Sequence, residues 1–232
     1  MIFGKVRSVV LELGFWNGVL YLLDAGLSRL SRGRWRLYKY YLVVQPVSAT
    51  PLLPAHRGRN IVVRQIHRHD PEIGTFPRPA RRIQWRFDQG GQCLAAYLDG
   101  ALVGFLWFNP GPYQEDEVRC RFVPLPEGEA AWDYDVFVDP RQRLGLVFSR
   151  LWDEGNSLLR RQGFAWSASR ISAFKPVSLT SHARMGGRRT GSACFLCGGR
   201  WQLLLASLPP YVHFSASPER CPVLRVAAPG RA

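Results

Sequence analysis

Acid is scarce in this 232-residue chain: 17 Asp and Glu stand against 31 Lys and Arg, a formal net charge of +14. A surplus of that size favours polyanionic partners, whether nucleic acid, anionic lipid or a phosphate-bearing cofactor. Cysteine is sparse as well. Cys93, Cys120, Cys194, Cys197 and Cys221 are odd in number and scattered, which argues against a disulfide framework and suits a reducing cytoplasm. Cys194 and Cys197 form one CxxC without a second pair or a nearby histidine to complete a zinc set, so a packed strand is expected there. His56, His67 and His69 lie close in sequence but lack a neighbouring carboxylate pair or cysteine, and no metal is expected. An uninterrupted apolar run of about 20 residues, as a membrane span needs, is missing near the start, where Glu12, Asn17 and Asp24 break the stretch. No small-residue cleavage site follows cleanly, which argues against a signal peptide. The arginines come without a recognition-helix or RNA-binding signature, so nucleic acid is a poor fit. Ser178 and Ser181 have no His and Asp in hydrolase order, which excludes a serine nucleophile. Internal repeats are also lacking.

What is present describes a globular chain. Hydrophobic residues make up 47% and charged residues 21%, enough to bury one sizeable core. In residues 1–30, Ile2, Val6, Val9, Leu13, Trp16, Leu20, Leu23, Leu27 and Leu30 step by alternating four and three, the stripe of one amphipathic helix. Arg29, Arg32, Arg34, Arg36 and Lys39 follow it. Such a helix fits four placements: docked on its own domain, paired with a second copy, seated in a partner's groove, or lying in a membrane interface with Trp16, Tyr21 and Trp35 at headgroup depth. The chain is therefore expected to be cytoplasmic, or peripheral to the inner face of a membrane. Three segments are expected: the helix and basic stretch over 1–36, a domain over 37–208, and a loosely attached tail over 209–232, where periodicity ends.

Within the domain, alternating and β-branched runs predict strands at Tyr38–Val47, Asn60–His67, Val118–Val123 and Phe164–Ile171. Gln92 to Phe108 reads as a hairpin across the tight-turn dipeptide Asp99-Gly100. Ser192–Cys197 and Trp201–Leu205 read as a second hairpin. Lys175 to Met185 reads as a short helix ended by Gly186-Gly187.

The stretch from Trp132 to Arg161 organises the rest. Val136, Phe137 and Val138 suit a strand, and Pro140 stops it because proline has no N–H for the ladder. Arg141-Gln142-Arg143-Leu144-Gly145 is a tight basic turn. Leu146, Leu151, Leu158 and Leu159 then recur at near-helical spacing. A helix start offers unpaired N–H groups and the positive end of a dipole, and so suits an anion such as a pyrophosphate.

From about Gln92 to Leu205 the order and motifs resemble the GCN5-related N-acetyltransferase (GNAT) superfamily. Three features carry the resemblance: the Asp99-Gly100 hairpin followed by Leu102-Val103-Gly104-Phe105; the turn Gln142-Arg143-Leu144-Gly145-Leu146-Val147, similar to the family's (Gln/Arg)-x-x-Gly-x-(Gly/Ala) loop; and Lys175 to Gly187, similar to the family's closing helix. The resemblance implies a mixed, mostly antiparallel twisted sheet flanked by helices, an α/β fold. It implies an N-acyltransferase that moves an acetyl or longer acyl group from acyl-CoA, as a substrate, to a primary amine of a small molecule or peptide. It implies that Gln142 to Val147 hold the pyrophosphate of acyl-CoA, that Phe137 and Val138 lend backbone N–H groups to the oxyanion, and that Lys175 lies along the pantetheine arm. Acyl transfer also needs a proton acceptor for the amine and a donor for the thiolate. Asp133 and Asp135, on alternate strand positions and hence on one face, are the candidate bases, since each could raise the other's pKa. His182, at the family's Tyr position, is the candidate acid. Glu115-Asp116-Glu117 and the acidic residues from Glu127 to Asp135 are candidates to line a cationic acceptor pocket, or to be solvated loops. The alternative to turnover is a catalytically degenerate binding module that acts through its N-terminal helix at a membrane or a protein partner.

Overall fold

The computed structural model describes residues 2–143, 145–217 and 219–230. The chain divides into two compact units. Met1–Gln45, Gln114–Leu125 and Ala168–Ala232 make up the first; Pro46–Tyr113 and Pro126–Ser167 make up the second.

The second unit carries the organising stretch. Strands β2 (Ile61–Ile66), β3 (Gln92–Leu98), β4 (Ala101–Asn109) and β7 (Ala130–Val138) lie in the order β7-β4-β3-β2, each pair antiparallel. β3 and β4 meet at Leu98↔Ala101, so the loop is the expected Asp99-Gly100. Both residues have positive φ, 50° and 79°, the primed turn that matches strand twist. Helix α3 (Ala80–Asp88) follows a short 3-10 turn, and α4 (Val147–Arg161) follows β7. On α4, Val147, Leu151, Trp152, Gly155, Leu158 and Leu159 are buried, the near-four spacing of one helical face. That face lies against β2, β3 and β4. Full burial of each large apolar side chain there is worth about 1.5–3 kcal/mol.

In the first unit, β1 (Trp35–Pro46), β9 (Arg188–Gly198), β10 (Trp201–Ala206) and β11 (Val212–Ser215) form an antiparallel run, with β8 (Trp166–Ser172) beside β1. Cys194 and Cys197 lie in β9, as a packed strand requires. Helix α5 is Pro176–Arg184. A smaller sheet joins β5 (Tyr113–Gln114), β6 (Arg121–Leu125) and β12 (Val223–Ala227), with β12 parallel to β6. The fold is thus mixed α/β with mostly antiparallel sheet, as expected.

Two expectations change. The stripe over residues 1–30 is not one helix: α1 (Ile2–Leu13) and α2 (Phe15–Leu30) meet at Gly14, whose φ of 78° breaks the spiral. The helices fold back so that a Cβ on Gly18 would stand 3.1 Å from Val10 Cα. The segment expected as a loose tail forms β11 and β12. Leu224 and Val226 alternate into the core at 0% exposure, a period-two burial too short to register as periodicity beside the prolines.

Candidate functional site

Strand β7 is irregular where the chemistry is expected. Phe137 pairs with Phe105 and Tyr134 with Trp107, so Asp135 and Val136 together oppose Leu106 alone. This is a β-bulge, and Asp135 has a φ of 47°, unusual for a residue with a side chain. The bulge is held by charge. Arg78 donates from Nε to Asp135 Oδ2 at 2.8 Å and from Nη2 to Oδ1 at 2.5 Å, and Arg86 Nη1 donates to Oδ2. Burial alone would raise the Asp135 carboxyl; the Arg78 hydrogen bonds and the Arg86 charge outweigh it and hold the group below the usual carboxylate range. Asp133 has a different partner, accepting from Ser167 Oγ at 2.6 Å, with both residues buried. The Asp135 carboxyl is therefore lowered by its two arginines rather than raised by a neighbouring aspartate. Tyr134 is core, stacked 4.0 Å from Tyr113 and donating to Asn109 Oδ1.

Beyond the bulge the strand recovers its alternation. The Asp139 N–H donates to Val103 O at 2.8 Å, toward β4. The Val138 N–H therefore points the other way, and the Phe137 N–H points toward β4. Of the two expected backbone donors, Val138 is the one whose N–H lies away from the β4 ladder.

The turn follows as a 3-10 turn at Pro140–Gln142. Asp139 accepts from the Arg141 N–H and from its guanidinium, which pulls the carboxyl down to about 2. Arg141 is thus occupied, while Arg143 is exposed. Gly145 N–H donates to Gln142 O. Leu146 stands at the N-cap of α4 with no side-chain cap bond, and no acidic residue lies in the first turn. The helix start is left open to an anion. Val147 is buried and turned to the sheet, where it packs over Gly104: a Cβ at 104 would stand 2.9 Å from Val147 Cγ1 and 2.8 Å from Phe137 O. The bulk of Val147 therefore does not cover the turn. Leu144, expected to line the same turn, lies outside the described residues.

Lys175 and His182 belong to the first unit. Lys175 is the exposed N-cap residue of α5. His182 is 5% exposed, with Nδ1 2.9 Å from Gln45 Oε1. Burial pulls its pKa down to about 4, so the ring is neutral near pH 7. A neutral imidazole in that bond holds no readily released proton. The acidic loop is divided between core and solvent: Glu117 is exposed and Glu115 is not. Glu115 is buried and forms a fork with Arg170 at 2.6 and 2.7 Å, and Glu117 accepts from Arg170 and from the Tyr40 hydroxyl. Arg170 also lies 4.4 Å over the Tyr40 ring. Among the described residues no group of three or more His, Cys, Asp or Glu is placed to hold a metal ion.

The sequence reading missed Arg78, Arg86 and Ser167. The fork from Arg78 crosses 57 positions, and no local pattern marks it.

No family model matches this chain, and no curated protein matches it in sequence. Solved structures resemble it remotely. It is similar, at a TM-score of 0.49 and 12% identity, to a functionally unknown conserved protein from Staphylococcus epidermidis, covering 76% of this chain and 67% of that one. It is similar at 0.47 and 17% to a protein from the GNAT family of acetyltransferases of Novosphingobium aromaticivorans, over 68% of this chain and 63% of that one, less than two thirds of its length. It is similar at 0.40 and 14% to an aminoglycoside acetyltransferase from an uncultured soil metagenomic sample, over 55% and 88%. Likenesses this remote leave activity, substrate and partners to be argued from the chain's own residues.

Proposed function

We propose that this chain is an N-acyltransferase that takes an acyl-CoA as donor and a primary amine of a small molecule or peptide as acceptor. The observation that carries this reading is the sequence of devices on one segment: a bulge in β7, a Val138 N–H turned away from β4, a basic turn, and an uncapped start of α4. Acyl transfer from a thioester develops negative charge on the carbonyl oxygen, and a fixed backbone N–H stabilises that charge without reorganisation. The Val138 N–H supplies this contact. The pyrophosphate is placed on the N–H groups at the start of α4, with Gln142, Gly145 and Leu146 shaping the turn and Arg143 adding charge.

In this reading Asp135 is a positioning residue: its carboxylate, clamped by Arg78 and Arg86, keeps the bulge. Asp133, hydrogen-bonded to Ser167, is the carboxylate that accepts the proton of the amine. The neutral, buried His182 is assigned to packing α5.

The test is thermal denaturation of the full chain with acetyl-CoA and longer acyl-CoAs. A rise in Tm is expected, and Gly145→Glu is expected to abolish it by placing a carboxylate at the phosphate site. Position 145 has ordinary φ, and an added Cβ would meet Gln142 O at 3.2 Å, so the variant can fold with a small adjustment. Absence of a shift with every acyl-CoA overturns the reading.

A further inference from the structure

We propose that the first unit docks on an anionic bilayer surface through an exposed aromatic and arginine face. This inference is independent of the acyl-transfer reading.

The face begins on α2. Trp16, Leu23 and Leu30 are spaced by seven and so project from one side of the helix, at 77, 50 and 88% exposure. The other half of the same apolar pattern, Leu20 and Leu27, is only half-exposed. The sequence stripe thus serves two directions, and one of them faces solvent.

The sheet adds an aromatic row next to the end of this helix. Trp35 on β1 and Trp201 on β10 both pair with Gly198 on β9. In-register neighbours share a sheet face. The Trp35 indole lies over Gly198, where an added Cβ would come within 2.3 Å of the ring. Phe214 on β11 stacks on Trp201 with centroids 5.3 Å apart. All three rings are exposed.

The segments that carry these rings hold charge of one sign. Arg29, Arg32 and Arg34 are exposed between Leu30 and Trp35 or beside them, and Arg200 lies 4.8 Å over the Trp201 ring. Neither residues 25–39 nor residues 186–215 contain an Asp or Glu. Asp24, the acid of α2, is buried and bound by Arg36 at 2.9 and 3.0 Å and by the Leu37 N–H at 2.8 Å, so it does not offset the exposed arginines. Tryptophan at the surface, leucine beside it and unopposed arginine around them form the pattern that seats a protein at headgroup level on anionic lipid. Among the described residues no helix is long and apolar enough to cross a membrane; the proposal is of lying on the surface.

The experiment is co-sedimentation of the full chain with vesicles of phosphatidylcholine alone, and with roughly a third phosphatidylserine, at low and high salt. Binding to the anionic vesicles and its loss in salt are expected. Arg32→Glu with Arg34→Glu should weaken binding by more than tenfold, since each basic residue near such a surface strengthens it roughly fivefold. Leu30→Ser with Trp201→Ser should weaken it on the same vesicles. All four positions are exposed, and an unchanged circular dichroism spectrum shows that the variants fold. No binding to anionic vesicles, binding that these variants leave intact, or equal binding to neutral vesicles overturns the proposal. So does a dimer in sedimentation equilibrium that Leu30→Ser with Trp201→Ser converts to monomer, since the face would then be covered by a second copy.

Discussion

Val147 fills the space that a side chain at position 104 would need. A Cβ on Gly104 would stand 2.9 Å from Val147 Cγ1, 3.1 Å from Leu151 Cδ1 and 2.8 Å from the Phe137 carbonyl oxygen. The absence of a side chain in β4 thus seats the first turn of α4 and with it the turn proposed to bind phosphate.

Gly104→Ala should therefore destabilise the chain by about 1–3 kcal/mol, the usual effect of overpacking. Urea denaturation measures it. Val147→Ala should relieve part of this in the double variant, giving a non-additive cycle. The Phe137 backbone contact will keep the rescue incomplete. Additive effects would show that the two residues do not share this space.

Asp135→Asn removes the charge that Arg78 and Arg86 both approach, and Arg86 is 3% exposed. Breaking a buried pair in this way costs about 3–5 kcal/mol. The pH dependence has a fixed sign. The folded pKa lies below the unfolded value of about 3.9, so the contribution is present above that pH and lost as pH falls through the lower folded value. The gap in denaturation midpoint between wild type and variant should be narrower at pH 3 than at pH 7; an unchanged gap would refute this.

His182 should titrate with a midpoint near 4 when its ring resonances are followed by NMR. Its unfolded value is about 6.5. As pH falls between those values the unfolded chain gains a proton that the folded chain refuses. Stability is therefore full above about 6.5 and declines toward 4, by up to about 3 kcal/mol. His182→Gln should remove this decline. A midpoint near 6.5 would contradict the buried, neutral ring.

Arg143→Glu should weaken acyl-CoA binding roughly tenfold or more by loss of a charged contact, with Tm in the absence of acyl-CoA unchanged because the side chain is exposed. Arg141→Ala should have a smaller effect, since that guanidinium is already bound to Asp139. Isothermal titration with acetyl-CoA compares them. Equal losses would mean that Arg141 exchanges its partner on binding.

Much of the site's framework was legible from residues close together in the chain. Asp99-Gly100 marks its own turn, Pro140 ends its own strand, and the leucines of α4 show their own period. The bulge at Asp135 was not legible. An extra residue in β7 is defined only against Leu106 on β4, and its charge partners are 49 and 57 positions away. The two aspartates looked equivalent for the same reason: alternation assumes a regular ladder. Glu115 to Glu117 read as a pocket lining or a solvated run because Arg170, 55 positions after Glu115, cannot be seen from the loop.

The sequence by itself determined α4 and α5, the hairpins, the basic turn and the apolar stripe of residues 1–30, because hydrogen bonds within a turn and side-chain periodicity depend on residues a few positions apart. Tertiary structure decided which groups carry charge and which face solvent. It set Asp135 between two arginines, buried His182 as a neutral ring, broke the first helix at Gly14, and left Trp16, Leu23 and Leu30 exposed. Burial and pairing depend on which strands lie side by side, and desolvation and Coulomb terms follow from that adjacency.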